Sequence, residues 1–278
     1  MFHDEIDKNQ YLYHFTNYTT GLEYILPTNS IRFNPLINTN DPRETKEWMF
    51  SMSCPTDQPE SNEFFELCQK FNQILKKNSK VLCLTRDNLT PPPIPNEIFG
   101  RGYSHTRMWA QYAGNHKGIC LMFDKYKLEQ LIDEQLSSKG NLYKGNVNYG
   151  THSREVYESF NFDYDEVRKL GLENVAINHI KKYYEVLYFE KSLDWKEECE
   201  YRWVLLGAGS NYEYVEYKDS LVSIILGADF PQIYEMIIAE YCKKKKIHAA
   251  RVFWNNGRPS ILPVYIPETD ESFINRVI

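Results

Sequence analysis

Hydrophobic spacing switches irregularly between alternate-residue and helical periods along these 278 residues, and no segment repeats at a fixed interval. That pattern excludes a solenoid and predicts an α+β fold in one elaborated domain spanning residues 1–278. Aromatic-rich Tyr11–Thr16 predicts a strand, followed by a short helix over Gly21–Leu26 and a strand over Ile31–Asn34. Apolar positions Phe64, Leu67, Cys68, Phe71, Ile74 and Leu75 predict a helix between Asn62 and Asn78, and Lys80–Thr85 then reads as a buried strand. The run Pro91–Pro95, continuing through Phe99-Gly100-Arg101-Gly102, predicts a long surface loop, because proline removes donors and glycine admits unusual dihedrals.

Further on, helices are expected over Arg107–Ala113 and Leu128–Leu136, with a strand over Gly118–Phe123 between them. Residues Tyr164–Tyr184 read as one long helix or two short ones around Gly171. Strands are expected over Val186–Phe189, Cys199–Leu206, Tyr212–Tyr217 and Leu221–Leu226. Asp229 and Pro231 signal a helix start, and Lys243–Lys246 in its last turn suit the negative end of the helix dipole. Residues 228–278 thus form a helix–strand extension.

No eighteen-residue apolar run occurs and Met1–Asp7 is polar, so a cytoplasmic protein with no membrane partner is expected. The six cysteines lie far apart without a Cys-x-x-Cys pair and read as small buried hydrophobes, with neither zinc nor disulfides signalled. A net charge of -6 argues against bulk polyanion binding while leaving room for a local basic patch. No Gly-x-Gly-x-x-Gly, phosphate loop or His-Glu-x-x-His is present, so Rossmann, P-loop and zinc-hydrolase readings have no support, and no metal is expected.

Four constellations remain. In Trp195-Lys196-Glu197-Glu198-Cys199-Glu200-Tyr201-Arg202-Trp203, an extended backbone would place Glu198, Glu200 and Arg202 on one face. Two adjacent carboxylates could stabilise a developing sugar cation, their proximity raising one pKa; equally, the strand could face solvent with Arg202 pairing its acidic neighbours. In Tyr13-His14-Phe15-Thr16, His14 and Thr16 share a face, as either structural or ligand-binding groups. Asn40-Asp41-Pro42-Arg43-Glu44 reads as a helix start capped by Asn40 or Asp41. In Met108-Trp109-Ala110-Gln111-Tyr112-Ala113-Gly114-Asn115-His116-Lys117-Gly118, Trp109 and Tyr112 share a helix face, available for core packing or for ligand stacking.

Together, Asn40-Asp41-Pro42-x-Glu44, Met108-Trp109-x-x-Tyr112-Ala113-x-x-His116-Lys117-Gly118 and Trp195-x-x-Glu198-x-Glu200-x-Arg202 resemble a widespread bacterial family of unknown function, over about residues 11–227. The opening Tyr13-His14-Phe15-Thr16 and the helix after it resemble the start of DarT-type DNA ADP-ribosyltransferases. That resemblance implies split mixed or antiparallel sheets with flanking helices, and NAD as co-substrate without a metal. It implies that His14 holds a ribose hydroxyl, that Tyr112 or Trp109 stacks on nicotinamide, and that Glu200 holds the reacting ribose while Glu198 addresses the acceptor. Arg32, on the strand after the first helix, is a candidate for cofactor phosphate because its guanidinium forks to two oxygens. The activity implied is ADP-ribosyl transfer to DNA, RNA or protein by a toxin or phage-defence effector, with an antitoxin as a possible partner. The alternatives are a non-catalytic nucleic-acid or protein-binding module and an NAD or nucleotide glycohydrolase.

Overall fold

The computed structural model describes residues 10–54, 59–90, 96–150, 154–207 and 212–267. The strands are β1 (Tyr11–Thr16), β2 (Ser30–Pro35), β3 (Ser51–Ser53), β4 (Ser79–Arg86), β5 (Ile119–Asp124), β6 (Asn141–Asn146) and β7 (Asn148–Tyr149), then β8 (Asn161–Asp163), β9 (Glu190–Lys191), β10 (Glu200–Leu206), β11 (Glu213–Glu216), β12 (Leu221–Leu226), β13 (His248–Asn255) and β14 (Arg258–Tyr265). Ten of them form one mixed sheet in the order β11-β2-β4-β1-β5-β12-β13-β14, with β10 and β6 joined to the other edge of β4. Among the described residues of this sheet, only β12 and β13 run parallel. The fold is therefore mixed α and β around a large sheet.

Strand β4 organises this sheet. Along one edge it pairs continuously with β10, from Thr85 opposite Glu200 to Ser79 opposite Leu206. Its other edge is shared: β1 takes only Thr85 and Arg86, opposite Tyr13 and Leu12, while β2 takes Val81 and Lys80, opposite Asn34 and Pro35. Between these two pairings the sheet forks, and Leu82–Leu84 have no strand partner on that edge. His14 is the first β1 residue beyond the fork.

Three packed clusters hold the sheet. Alternate residues of the central strands, including Leu12, Leu84, Leu121, Trp203 and Ile224, meet Leu128, Ile132 and Leu136 of helix Lys125–Leu136 and Ile238 and Cys242 of helix Glu235–Lys245. On the opposite face, Val81, Val204 and Leu206 pack with Phe71 and Leu75 of helix Ser61–Lys77 and Ala176 and Ile180 of helix Leu172–Tyr188. Tyr13, Phe15, Cys120 and Val252 pack separately with Met108 and Trp109 of helix Thr106–Tyr112.

Several expectations need correction. Val186–Phe189 is not a strand; the helix from Leu172 runs through Tyr188 because Val186, Leu187 and Tyr188 bury themselves in its turn. Gly171, at φ 82°, separates it from helix Tyr164–Leu170, so the two-helix alternative holds. Phe99–Gly102 is not a surface loop: 3-10 turns bury Gly102 and Tyr103, and a Cβ at Gly102 would lie 2.3 Å from the Tyr13 ring. Residues 91–95 of that expected loop lie outside the described residues. Strand β11 begins at Glu213 and β10 at Glu200, not at Tyr212 and Cys199. Beyond the helix at 235–245 comes a hairpin of two strands closed by Asn256 and Gly257, both at positive φ, and not a single strand. Only Cys120 and Cys242 are buried; Cys54, Cys68, Cys83 and Cys199 are partly exposed and all six are free.

The Tyr112–Gly118 motif is a turn with demanding geometry. Gly114, Asn115 and His116 are all left-handed, and a Cβ on Gly118 would sit 2.1 Å from the Thr16 carbonyl oxygen and 2.8 Å from the Ala113 carbonyl oxygen. Both obstacles are backbone and cannot swing aside. Gly118→Ala is expected to cost about 3 kcal/mol, measured as a lowered urea midpoint with unchanged slope.

Candidate functional site

At the fork lies a half-open cleft of about 210 Å³. Its walls include His14 of β1, Arg32 and Asn34 of β2, Asn40, Asp41 and Glu44 from the segment after β2, the Val81–Thr85 edge of β4, Tyr112, Lys191, Trp195, Glu198 and Glu200. The cross-strand register points His14 and Glu200 to opposite faces of the sheet, since Tyr13, Thr85 and Glu200 are aligned. Both nonetheless border one opening because β1 peels away from β4 just where His14 begins.

The floor is an ion network. Arg202, fully buried, sends Nε to Glu200 Oε1 at 2.6 Å and Nη2 to Glu200 Oε2 at 3.1 Å, a two-pronged pairing. Its Nη1 donates to the Tyr188 carbonyl at 2.7 Å and lies 2.6 Å from Glu44 Oε1, an ion pair without the alignment of a hydrogen bond. Lys191 stands between the two candidate carboxylates, 2.7 Å from Glu200 Oε2 and 2.9 Å from Glu198 Oε2. Tyr112 donates its hydroxyl to Glu198 Oε1 at 2.6 Å. Tyr149 accepts the Glu200 amide at 2.8 Å and so fixes the first residue of β10.

Adjacent carboxylates do not raise the Glu200 pKa. Burial pushes it up, but Arg202 and then Lys191 outweigh burial and hold it down at about 2. Lys191 itself suffers burial, which favours its neutral form, yet the Glu200 and Glu44 charges carry its pKa above the ordinary lysine value. Tyr112 is raised by burial and by the Glu198 charge, so it remains a donor. Nor do Glu198 and Glu200 share a strand: Glu198 ends the 3-10 turn Leu193–Glu198 and Cys199 is left-handed at φ 44°. That turn folds Glu198 back over Lys191.

Not every expected residue reaches the cleft. Trp109 is fully buried, donates Nε1 to the Tyr103 carbonyl at 2.6 Å and packs edge-on against Phe15 at 5.1 Å, so it is a core residue and cannot stack on a ligand. Thr16 and Lys117 are likewise absent from the cleft walls, Thr16 buried opposite Ile119 and Lys117 exposed on the turn. Arg202 lies beneath the floor. Asp41, not Asn40, caps helix Pro42–Thr45, its Oδ1 accepting the Arg43 amide at 2.9 Å.

Sequence reasoning missed Lys191, Thr85 and the ring of Trp195, which borders the cleft with Lys191 and Arg107 each 5.3 Å from its centre. Trp195 was visible in the motif; Lys191 and Thr85 carried no local signal, because their importance arises from partners elsewhere in the chain. Among the described residues no group of three or more His, Cys, Asp or Glu is placed to hold a metal, and no helix is long and apolar enough to cross a membrane.

The His14 side chain forms no hydrogen bond among the described residues, and loss of hydration lowers its pKa to about 4. It is neutral at pH 7. In the unfolded chain it would take a proton near its ordinary 6.5, so its contribution is complete above that value and fades as pH falls toward 4. Glu200 adds a second loss between its ordinary 4.5 and about 2. Urea midpoints should therefore decline below pH 6.5 and go on declining below pH 4.5, with His14→Gln removing the first part only.

No curated protein and no solved structure matches this chain. A family model described as "Protein of unknown function (DUF2971)" matches residues 108–203, a stretch that holds Tyr112, Lys191, Glu198, Glu200 and Arg202 and excludes β1 and Asp41–Glu44. Over those residues the chain is similar to a family whose description assigns no activity.

Proposed function

We propose that the cleft is the site of an NAD-dependent ADP-ribosyltransferase acting on a nucleic-acid base or a protein side chain. One observation carries the reading: His14, Arg32, Tyr112, Glu198 and Glu200, scattered over most of the chain, border a single opening at a fork in the sheet. The fork also supports the finer reading of the fold as ADP-ribosyltransferase-like, and the whole chain as one such domain.

The groups suit the chemistry. Glu200, its pKa held down at about 2, is ionised at neutral pH, so it can face the positive charge that develops on the ribose as the bond to nicotinamide breaks. The electron pair of that bond leaves with the nicotinamide nitrogen. His14, its ring neutral and without a hydrogen-bond partner among the described residues, is free to orient a ribose hydroxyl. Tyr112 and Trp195 offer ring faces for nicotinamide, Trp195 replacing Trp109 in that role. Arg32 is exposed, makes no ion pair among the described residues, and rests 4.4 Å over the Tyr212 ring at the cleft wall, poised for a phosphate. Glu198, held by Tyr112 and Lys191, is left to address the acceptor.

Incubation with NAD labelled in the ADP-ribose moiety, beside separate pools of DNA, RNA and protein, tests the reading. The expected result is nicotinamide release with label transferred to one pool. Free ADP-ribose alone would assign a glycohydrolase, and intact NAD in all three pools would overturn the proposal.

A further inference from the structure

Three residues that line the cleft each carry a buried oxygen with no hydrogen-bond partner among the described residues: Asp41 Oδ2, Glu44 Oε2 and Thr85 Oγ1. Their residues are only 5%, 3% and 2% exposed. An unpaired buried acceptor costs about 1–3 kcal/mol, so three at one opening mark a place where a ligand supplies the missing donors. We propose that Asp41, Glu44 and Thr85 form a subsite for the hydroxyls of a sugar.

The surroundings select a neutral, multi-donor group. Glu44 already has Arg202 at 2.6 Å, so its free oxygen lacks a donor and not a counter-charge. Lys191 in the same wall and Arg202 beneath the floor repel a second cation, which disfavours a guanidinium or an ammonium group. Asp41 cannot turn away, because its Oδ1 caps the helix begun by Pro42. Thr85 shares the face of Glu200, being directly opposite it in the β4–β10 register. Its hydroxyl both donates and accepts, as a sugar hydroxyl does, and the two carboxylates accept only. A carboxamide brings two N–H groups from one nitrogen; neighbouring sugar hydroxyls bring donors from separate atoms, which better serves acceptors on three residues.

This inference rests on the reading of the cleft as a dinucleotide site, and it assigns the contacts of a ribose on the Asp41 wall. Calorimetric titration of ADP-ribose and, separately, of nicotinamide into the wild type and the variants Asp41→Asn, Thr85→Val and Thr85→Ser tests it. Asparagine keeps the helix cap and serine keeps the hydroxyl. Asp41→Asn and Thr85→Val are expected to weaken ADP-ribose at least tenfold without changing nicotinamide affinity, while Thr85→Ser stays within threefold of the wild type. Equal ADP-ribose affinity in wild type, Asp41→Asn and Thr85→Val would overturn the subsite while leaving NAD cleavage, assayed alongside, to stand on its own. Weakening of nicotinamide instead would assign the wall to a carboxamide and also overturn it. Wild-type protein that binds ADP-ribose with the expected variant pattern but never cleaves NAD would sink the transferase reading alone, and a wild type that binds no ADP-ribose would sink both.

Discussion

Arg202→Met lowers stability by about 3–5 kcal/mol, because it removes one member of a buried ion network and leaves the others uncompensated. Glu200 would lose both prongs of its pairing and Glu44 its only ion-pair partner among the described residues, in a site where water cannot replace them. At about 2–4 °C per kcal/mol for a chain of this size, the melting midpoint falls by about 6–20 °C. Arg202→Lys recovers little, since one ammonium cannot reach two carboxylates and the Tyr188 carbonyl in the same geometry. Adding Glu44→Gln to Arg202→Met removes one stranded charge and restores part of the loss. Calorimetric melts of the four proteins check the series; an Arg202→Met midpoint within 2 °C of wild type would show that the network contributes nothing to folding.

The second large effect is on activity. Glu200→Gln keeps the side chain's shape but removes the charge that the proposed reaction needs, so nicotinamide release falls on the order of 10²–10³-fold, the scale measured when a stabilising group aimed at a developing charge is deleted. A melting shift accompanies it, since Lys191 and Arg202 lose a partner, so rates are compared at a temperature where both proteins are folded. Glu198→Gln separates the two acidic roles: it spares nicotinamide release and lowers transfer to the acceptor, given that Glu198 holds Tyr112 and Lys191 at the cleft wall. Unchanged release by Glu200→Gln would remove it from the reaction.

Much of this site was legible in the residues because its chemistry is concentrated in short motifs. His14 in an aromatic strand, Asp41 before Pro42, Tyr112 on a helix and the Glu198–Arg202 run were readable from local pattern, and the fold draws most of them to one cleft. The meaning of Trp109 was not readable, because its spacing on the helix serves a core contact as well as a ligand contact; only its burial against Phe15 decides. Lys191 was invisible for a different reason: nothing in Phe-Glu-Lys-Ser marks it, and its role comes from carboxylates that a tight turn brings back to it.

Elsewhere the same logic holds. The fork depends on which strands share the edge of β4, a long-range choice that hydrophobic period does not encode. Val186–Phe189 looks β-forming in isolation, and its helix is decided by burial against Ser61–Lys77 and the sheet. By contrast the Asn256-Gly257 hairpin carried a readable turn signal that the helix–strand expectation did not use.

The central claim is that one cleft gathers His14 and Glu200 around NAD. Titrating NAD into protein carrying isotope-labelled histidine, while following Trp195 fluorescence, tests it most directly. The His14 resonance and the Trp195 emission are expected to change with a single shared isotherm, the emission change being lost in His14→Gln with Arg32→Ala. NAD at millimolar concentration leaving His14 and Trp195 unmoved would contradict it.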